Sequence, residues 1–67
     1  RYDLAMAYYG AGQNETAIES LLEIIRRDQS WNDDAARLQL LKIFEALGPT
    51  HPLSNDGRRQ LSSVLFS

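Results

Sequence analysis

Leu4-Ala5-x-x-Tyr8-x-x-x-Gly12 and Leu40-Leu41-x-x-Phe44-x-x-x-Gly48 repeat one pattern 36 residues apart. An apolar pair, an aromatic residue a turn later and a glycine a turn beyond that is a helical spacing, because residues three and four apart share a face. Each glycine can take the left-handed backbone conformation that closes a helix without steric penalty. The first copy therefore predicts a helix over 2–11 that places Leu4, Ala5, Tyr8 and Ala11 on one face and turns at Gly12.

Beyond Gly12, Asn14 is placed to cap a second helix, and Glu15 in its first turn complements the helix dipole. Ala17, Ile18, Leu21, Leu22 and Ile25 then form an amphipathic stripe. Arg26 and Arg27 lie in the last turn, where cations are favoured, and Glu23 can pair with Arg27 at i,i+4. The prediction is a helix over 15–28. Gln29 to Asn32 read as a connector, with Asn32 capping a third helix over 33–47 and Asp33 and Asp34 in its first turn. That helix is apolar on two faces, Leu38, Leu41 and Phe44 on one and Ala36, Leu40, Ile43 and Leu47 on the other, so it is expected to be sandwiched between neighbours.

Two readings stand for the last segment. His51-Pro52 can open a helix with Pro52 at the first position, where the missing N–H costs nothing, or Ser54-Asn55-Asp56-Gly57 can form a turn with the helix starting near Arg58. A glycine inside a helix costs only about 1 kcal/mol relative to alanine, so the longer helix, over 52–66, is preferred. Leu61, Val64 and Leu65 are expected to face the third helix, with Gly57 aligned on the same face. The fold class is all-α: four helices in two antiparallel hairpins.

Composition narrows the function. The chain has 67 residues, 43% of them hydrophobic and 24% charged, which is ordinary for a globular domain and too apolar for a disordered one. Seven basic residues against nine acidic ones give a net charge of −2, and the pairs Arg26-Arg27 and Arg58-Arg59 are far apart, so the clustered basic footprint of a nucleic-acid binder is missing. With no cysteine there is no disulfide, thiolate metal site or redox CxxC in these residues. No apolar run approaches the roughly 18 residues of a membrane span. The chain opens on Arg1-Tyr2-Asp3, already inside a helical pattern, and is expected to be a fragment of a longer protein.

A helix–turn–helix unit repeating at about 34 residues, with an apolar pair, an aromatic residue, a glycine and then a small residue such as Ala17, resembles the tetratricopeptide repeat. The second unit matches less well, because Leu53 stands where Ala17 stood. A narrower resemblance covers nearly the whole chain. Gly12-x-x-x-x-Ala17, Leu21-Leu22-x-Ile24-Ile25-Arg26-Arg27-Asp28, Trp31-Asn32-Asp33, Ala35-Ala36-Arg37, Pro52-Leu53 and Arg58-Arg59-x-Leu61-Ser62-Ser63-x-Leu65-Phe66 look like the C-terminal region of bacterial thioredoxin-like chaperones, the co-chaperedoxin family. His51 and the stretch Asn55-Asp56-Gly57 depart from that family's pattern. The resemblance implies that residues 1–67 are one tetratricopeptide-like domain of a longer chain, lying behind a thioredoxin-like domain absent from this sequence. It implies a bacterial cytoplasmic holdase and co-chaperone that binds unfolded client proteins and docks on the chaperonin; on the composition, no nucleic acid, membrane, metal or cofactor is expected. The alternative is a structural scaffold or dimerisation module without client binding.

Candidate binding residues follow. Tyr8 is expected in the core by its spacing, whereas Tyr9 points elsewhere and is the candidate for a peptide groove on the inner face of the array. Trp31 is expected to anchor the two hairpins rather than to bind clients. Phe66 falls one step off the buried face of the last helix, and with Arg58 and Arg59 it forms a candidate docking stripe, as in helix-in-groove recognition. Met6, Tyr2 and Tyr9 are candidates for the outer face of the first helix, and the chain alone is expected either to be marginally stable or to self-associate through that face. His51 stands alone and cannot assemble the three or four ligands of a zinc site. Asn14-Glu15-Thr16 fits a glycosylation sequon but is read as a helix start, and Ser62, Ser63 and Ser67 have neither a nucleophile elbow nor a nearby base. No catalytic role is expected.

Overall fold

The computed structural model describes residues 2–28 and 34–66. It contains four helices: α1 (Tyr2–Gly10), α2 (Asn14–Arg27), α3 (Ala35–Leu47) and α4 (Pro52–Phe66). Successive helices pack against each other, and α2 also packs on α4, so α2 touches all three of the others. This follows from its sequence. Six of its fourteen residues are buried, Ala17, Ile18, Leu21, Leu22, Ile24 and Ile25, an arc wide enough to meet helices on more than one side.

The turn between α1 and α2 forms as its glycine demands. Gly12 takes φ +81°, the Gly12 N–H donates to the Tyr9 carbonyl (3.0 Å) and the Gln13 N–H to the Tyr8 carbonyl (2.9 Å). These are the two hydrogen bonds of a Schellman closure. The closure uses Gln13, so α2 starts at once: Asn14 is its first helical residue, and no side chain caps it. The expected Asn14 cap is thereby corrected.

The register of α1 also differs from expectation. Ala5 is fully buried, Tyr2 and Tyr9 pack against the core beside it, and Leu4 is exposed. Residues 2, 5 and 9 share a helical face, and Leu4 lies one step, about 100°, away from it. A small residue fits this face: Ala5 of α1 is fully buried, as is Ala17 of α2, the helix on which α1 packs. Tyr8 is only half-buried, so the inward tyrosine is Tyr9.

In α3, Ala36, Leu40, Ile43 and Phe44 are buried and Leu47 packs beside them, while Leu38 and Leu41 are 47% and 40% exposed. Phe44 joins the Leu40 face rather than the Leu38 face, so α3 is covered on one side only. The helix starts later than expected, at Ala35, because Asp34 has φ +66° and cannot be an interior helical residue. The expected roles of Trp31, Asn32 and Asp33 lie outside the described residues.

The longer reading of α4 holds. His51 Nδ1 accepts the Leu53 N–H (3.1 Å) at the helix start, a capping role that satisfies one orphan donor. Gly57 is an interior residue of α4, and a Cβ built there would lie 2.5 and 2.7 Å from Cε1 and Cζ of Phe44. Beside it Ser54 is fully buried, its hydroxyl donating to the Phe44 carbonyl (3.1 Å). In the second hairpin the close approach of α4 to α3 is therefore made at Ser54 and Gly57, not at Leu53. Leu61 and Val64 face inward as expected, whereas Leu65 is 37% exposed.

Candidate functional site

The outer face of α4 gathers three of the four candidate residues. Arg58 and Leu65 are seven residues apart, and Arg59 and Phe66 likewise, so each pair stacks on the solvent side of the helix. Both arginines, Ser62, Ser63, Leu65 and Phe66 are exposed, and Phe66 is 87% accessible, the most exposed large apolar residue described. Arg58 donates to the Pro49 carbonyl and to Asn55 Oδ1 (3.1 Å), tying the α3–α4 loop to the helix. Both acceptors are neutral, so its positive charge has no carboxylate against it among the described residues. Arg59 pairs with Asp56 on its own helix. Tyr9, the fourth candidate, is on α1 and packs against the core, apart from this face.

Hydrogen bonds from Arg59 and Gln60 hold the Asp56 carboxyl below the usual aspartate range. On α2 the Arg27 guanidinium, and secondarily Arg26, does the same for Glu23, at 3.2 and 3.5 Å. The expected Glu23–Arg27 pair is present, and these exposed pairs are surface electrostatics rather than a tuned acid–base site. Among the described residues no three His, Cys, Asp or Glu side chains gather to hold a metal, and no helix is long and apolar enough to cross a membrane.

The structure adds surfaces that the sequence reading missed. A groove of about 440 Å³ runs between α1 and α2, lined by Leu4, Thr16, Glu19, Ser20 and Glu23. Leu4 is 53% exposed in it. A smaller groove of about 110 Å³ between α2 and α4 is lined by Glu15, Ile18, Glu19, Leu53, Asp56, Gly57 and Gln60. Leu38 and Leu41 stand on the uncovered side of α3. The excess apolar width of α3 was the available signal for that last surface, but width alone does not say which arc is covered.

Helical hairpins of this geometry, closed by a glycine and packed on small residues, agree with a sequence comparison: the tetratricopeptide repeat family profile matches residues 1–66. The chain belongs to the tetratricopeptide repeat family. Such repeats generally mediate protein–protein interactions, and an all-helical fold of this type is typically non-enzymatic. The chain is also 36% identical over 63 residues to an uncharacterized protein of Haemophilus influenzae. That match covers 94% of this chain and 29% of the relative, so the chain spans under a third of that protein's length. No solved structure matches.

Proposed function

We propose that the chain is the C-terminal tetratricopeptide-like domain of a bacterial, cytoplasmic thioredoxin-like co-chaperone. In this reading residues 1–67 form one domain behind a thioredoxin-like domain, bind unfolded client proteins and dock on the chaperonin. The observation that carries it is Phe66, 87% exposed at the end of a helix whose outer face also presents Arg58 and Arg59. An aromatic side chain beside arginines on one exposed face supports a docking role, because aromatic and arginine side chains dominate the energetics of protein interfaces. Tyr9 keeps a lesser part: half-buried against the core, it supports the α1 face rather than standing free on it.

The test is binding of the chain to purified bacterial chaperonin, with Phe66→Ser as the comparison. Phe66 lies outside the core, so the variant keeps its helix content by circular dichroism. Saturable binding by the parent chain that falls at least about tenfold in the variant supports the reading, since a hot-spot aromatic contributes about 1.4 kcal/mol or more. Absence of binding by the parent chain removes the chaperonin from the proposal. The scaffold alternative then gains, favoured by the uncovered Leu38 and Leu41 on α3.

A further inference from the structure

We infer that the chain associates head to tail with a second copy of itself, the outer stripe of α4 in one copy seating in the α1–α2 groove of the next. The stripe runs from Arg58 through Ser62 to Leu65 and Phe66, all exposed, and spans about 12 Å at 1.5 Å per residue. The groove runs along α2 from Thr16 to Glu23, about 10 Å by the same measure, with Leu4 forming its α1 wall. The two surfaces agree in length and in chemistry. One offers an uncompensated cation and an exposed apolar pair, the other an exposed leucine and an acidic wall.

Charge complementarity favours a second copy as the occupant. Glu19 lines the groove, is exposed, and makes no ion pair among the described residues, whereas Glu23 shares its charge with Arg26 and Arg27. Arg58 bonds neutral acceptors only, and the last two turns of α4 carry no acid. Residues 1–28 hold five acids against three bases, and residues 29–67 hold four of each, so the groove end of the molecule is the acidic end. The two surfaces belong to different hairpins and differ in composition, so the contact is heterologous: each open assembly keeps one groove and one stripe unoccupied, and growth is open-ended unless the rotation closes a ring. This association would occupy the stripe that the chaperonin reading also uses, but it does not rest on that reading, and its tests contain no chaperonin, so either can fail without the other.

Sedimentation of the chain over a wide concentration range is expected to show a weight-average mass that climbs past the dimer. It is also expected to fall back as salt rises from about 0.1 to about 1 M, where the Debye length shortens from roughly 10 to 3 Å. The decisive experiment mixes two blocked variants. Glu19→Lys blocks the groove and Phe66→Ser blocks the stripe; both positions are exposed, and each variant is expected to be monomeric alone. Mixed one to one, they retain one intact groove and one intact stripe, and are expected to form a dimer that grows no further. Monomers at every concentration, a parent chain whose mass stops at the dimer, or a mixture that fails to pair would each overturn the inference. In the monomeric case the groove is left to a different protein.

Discussion

Gly57 shows how far one missing methyl group can set a helix crossing. In isolation, replacing a mid-helix glycine by alanine stabilises a helix by about 1 kcal/mol. Here the new Cβ would stand 2.5 Å from the Phe44 ring, which is itself buried, so the ring or the helix must shift. Overpacking of this kind costs about 1–3 kcal/mol, more than the propensity gain at most of that range. Gly57→Ala is therefore expected to lower the melting temperature, and the same change made in a Phe44→Leu background is expected to cost less or to stabilise. A rise in melting temperature for Gly57→Ala alone would count against the packing. Ser54 belongs to the same contact: its hydroxyl is tolerated at full burial because the Phe44 carbonyl accepts it. Leu53 resembled the defect of the second repeat only because the sequence offers no way to see that the crossing falls one residue later.

Helices α2 and α4 are each braced by ion pairs on their exposed faces, and these fix how the helices respond to acid. The native pKa values of Glu23 and Asp56 are lowered. Their contribution is therefore complete above the ordinary carboxylate values, about 4.3 for Glu and 3.9 for Asp, and is lost as pH falls through the lowered native values. Arg27→Ala is expected to move the Glu23 titration, followed by carbon-detected NMR, up toward the ordinary range, and about 1 M salt is expected to do part of the same. A Glu23 titration indifferent to the substitution would remove the Arg27 hydrogen bond as its cause. The α1–α2 turn and the C-terminal end of α2 were legible in advance, because Gly12 and Arg26-Arg27 act through local backbone chemistry, whereas the start of α4 stood between two readings that only the packing of Gly57 on Phe44 separates. Asn14 misled, since its capping position was taken over by the closure of the helix before it.

The domain depends on α2 throughout. Its Leu21 and Leu22 are fully buried, and it packs on α1, α3 and α4. The Cα radius of gyration is 10.8 Å, against roughly 10.9 Å expected for a compact chain of this length, so the small core is well closed. A domain this small has about 3–5 kcal/mol of stability from a single core, and a Leu→Ala change at a buried site costs about 2–5 kcal/mol. Leu22→Ala is therefore expected to unfold all four helices in one transition, seen as loss of most helical circular dichroism near room temperature. Loss confined to one hairpin would show instead that the two hairpins are separate folding units. The residues left over after this core forms, Leu4, Leu38, Leu41, Leu65 and Phe66, form the surface through which the molecule can meet others.

The sequence carried the class of fold and the four helices, because periodicity, glycine placement and charge at helix ends act within a few residues of chain. It also carried the exposure of Phe66, which falls off the only apolar stripe α4 has. The tertiary structure decided which face of each apolar helix turned inward. For α1 it chose Ala5 and Tyr9 over Leu4 and Tyr8, and for α3 it put Phe44 in the core and left Leu38 and Leu41 outside. The physical reason is the same in both: a helix apolar over a wide arc has several near-equivalent inward faces. Which one wins depends on what the neighbouring helix can accept, as where Ser54 and Gly57 of α4 meet Phe44 of α3, and that is settled only between helices.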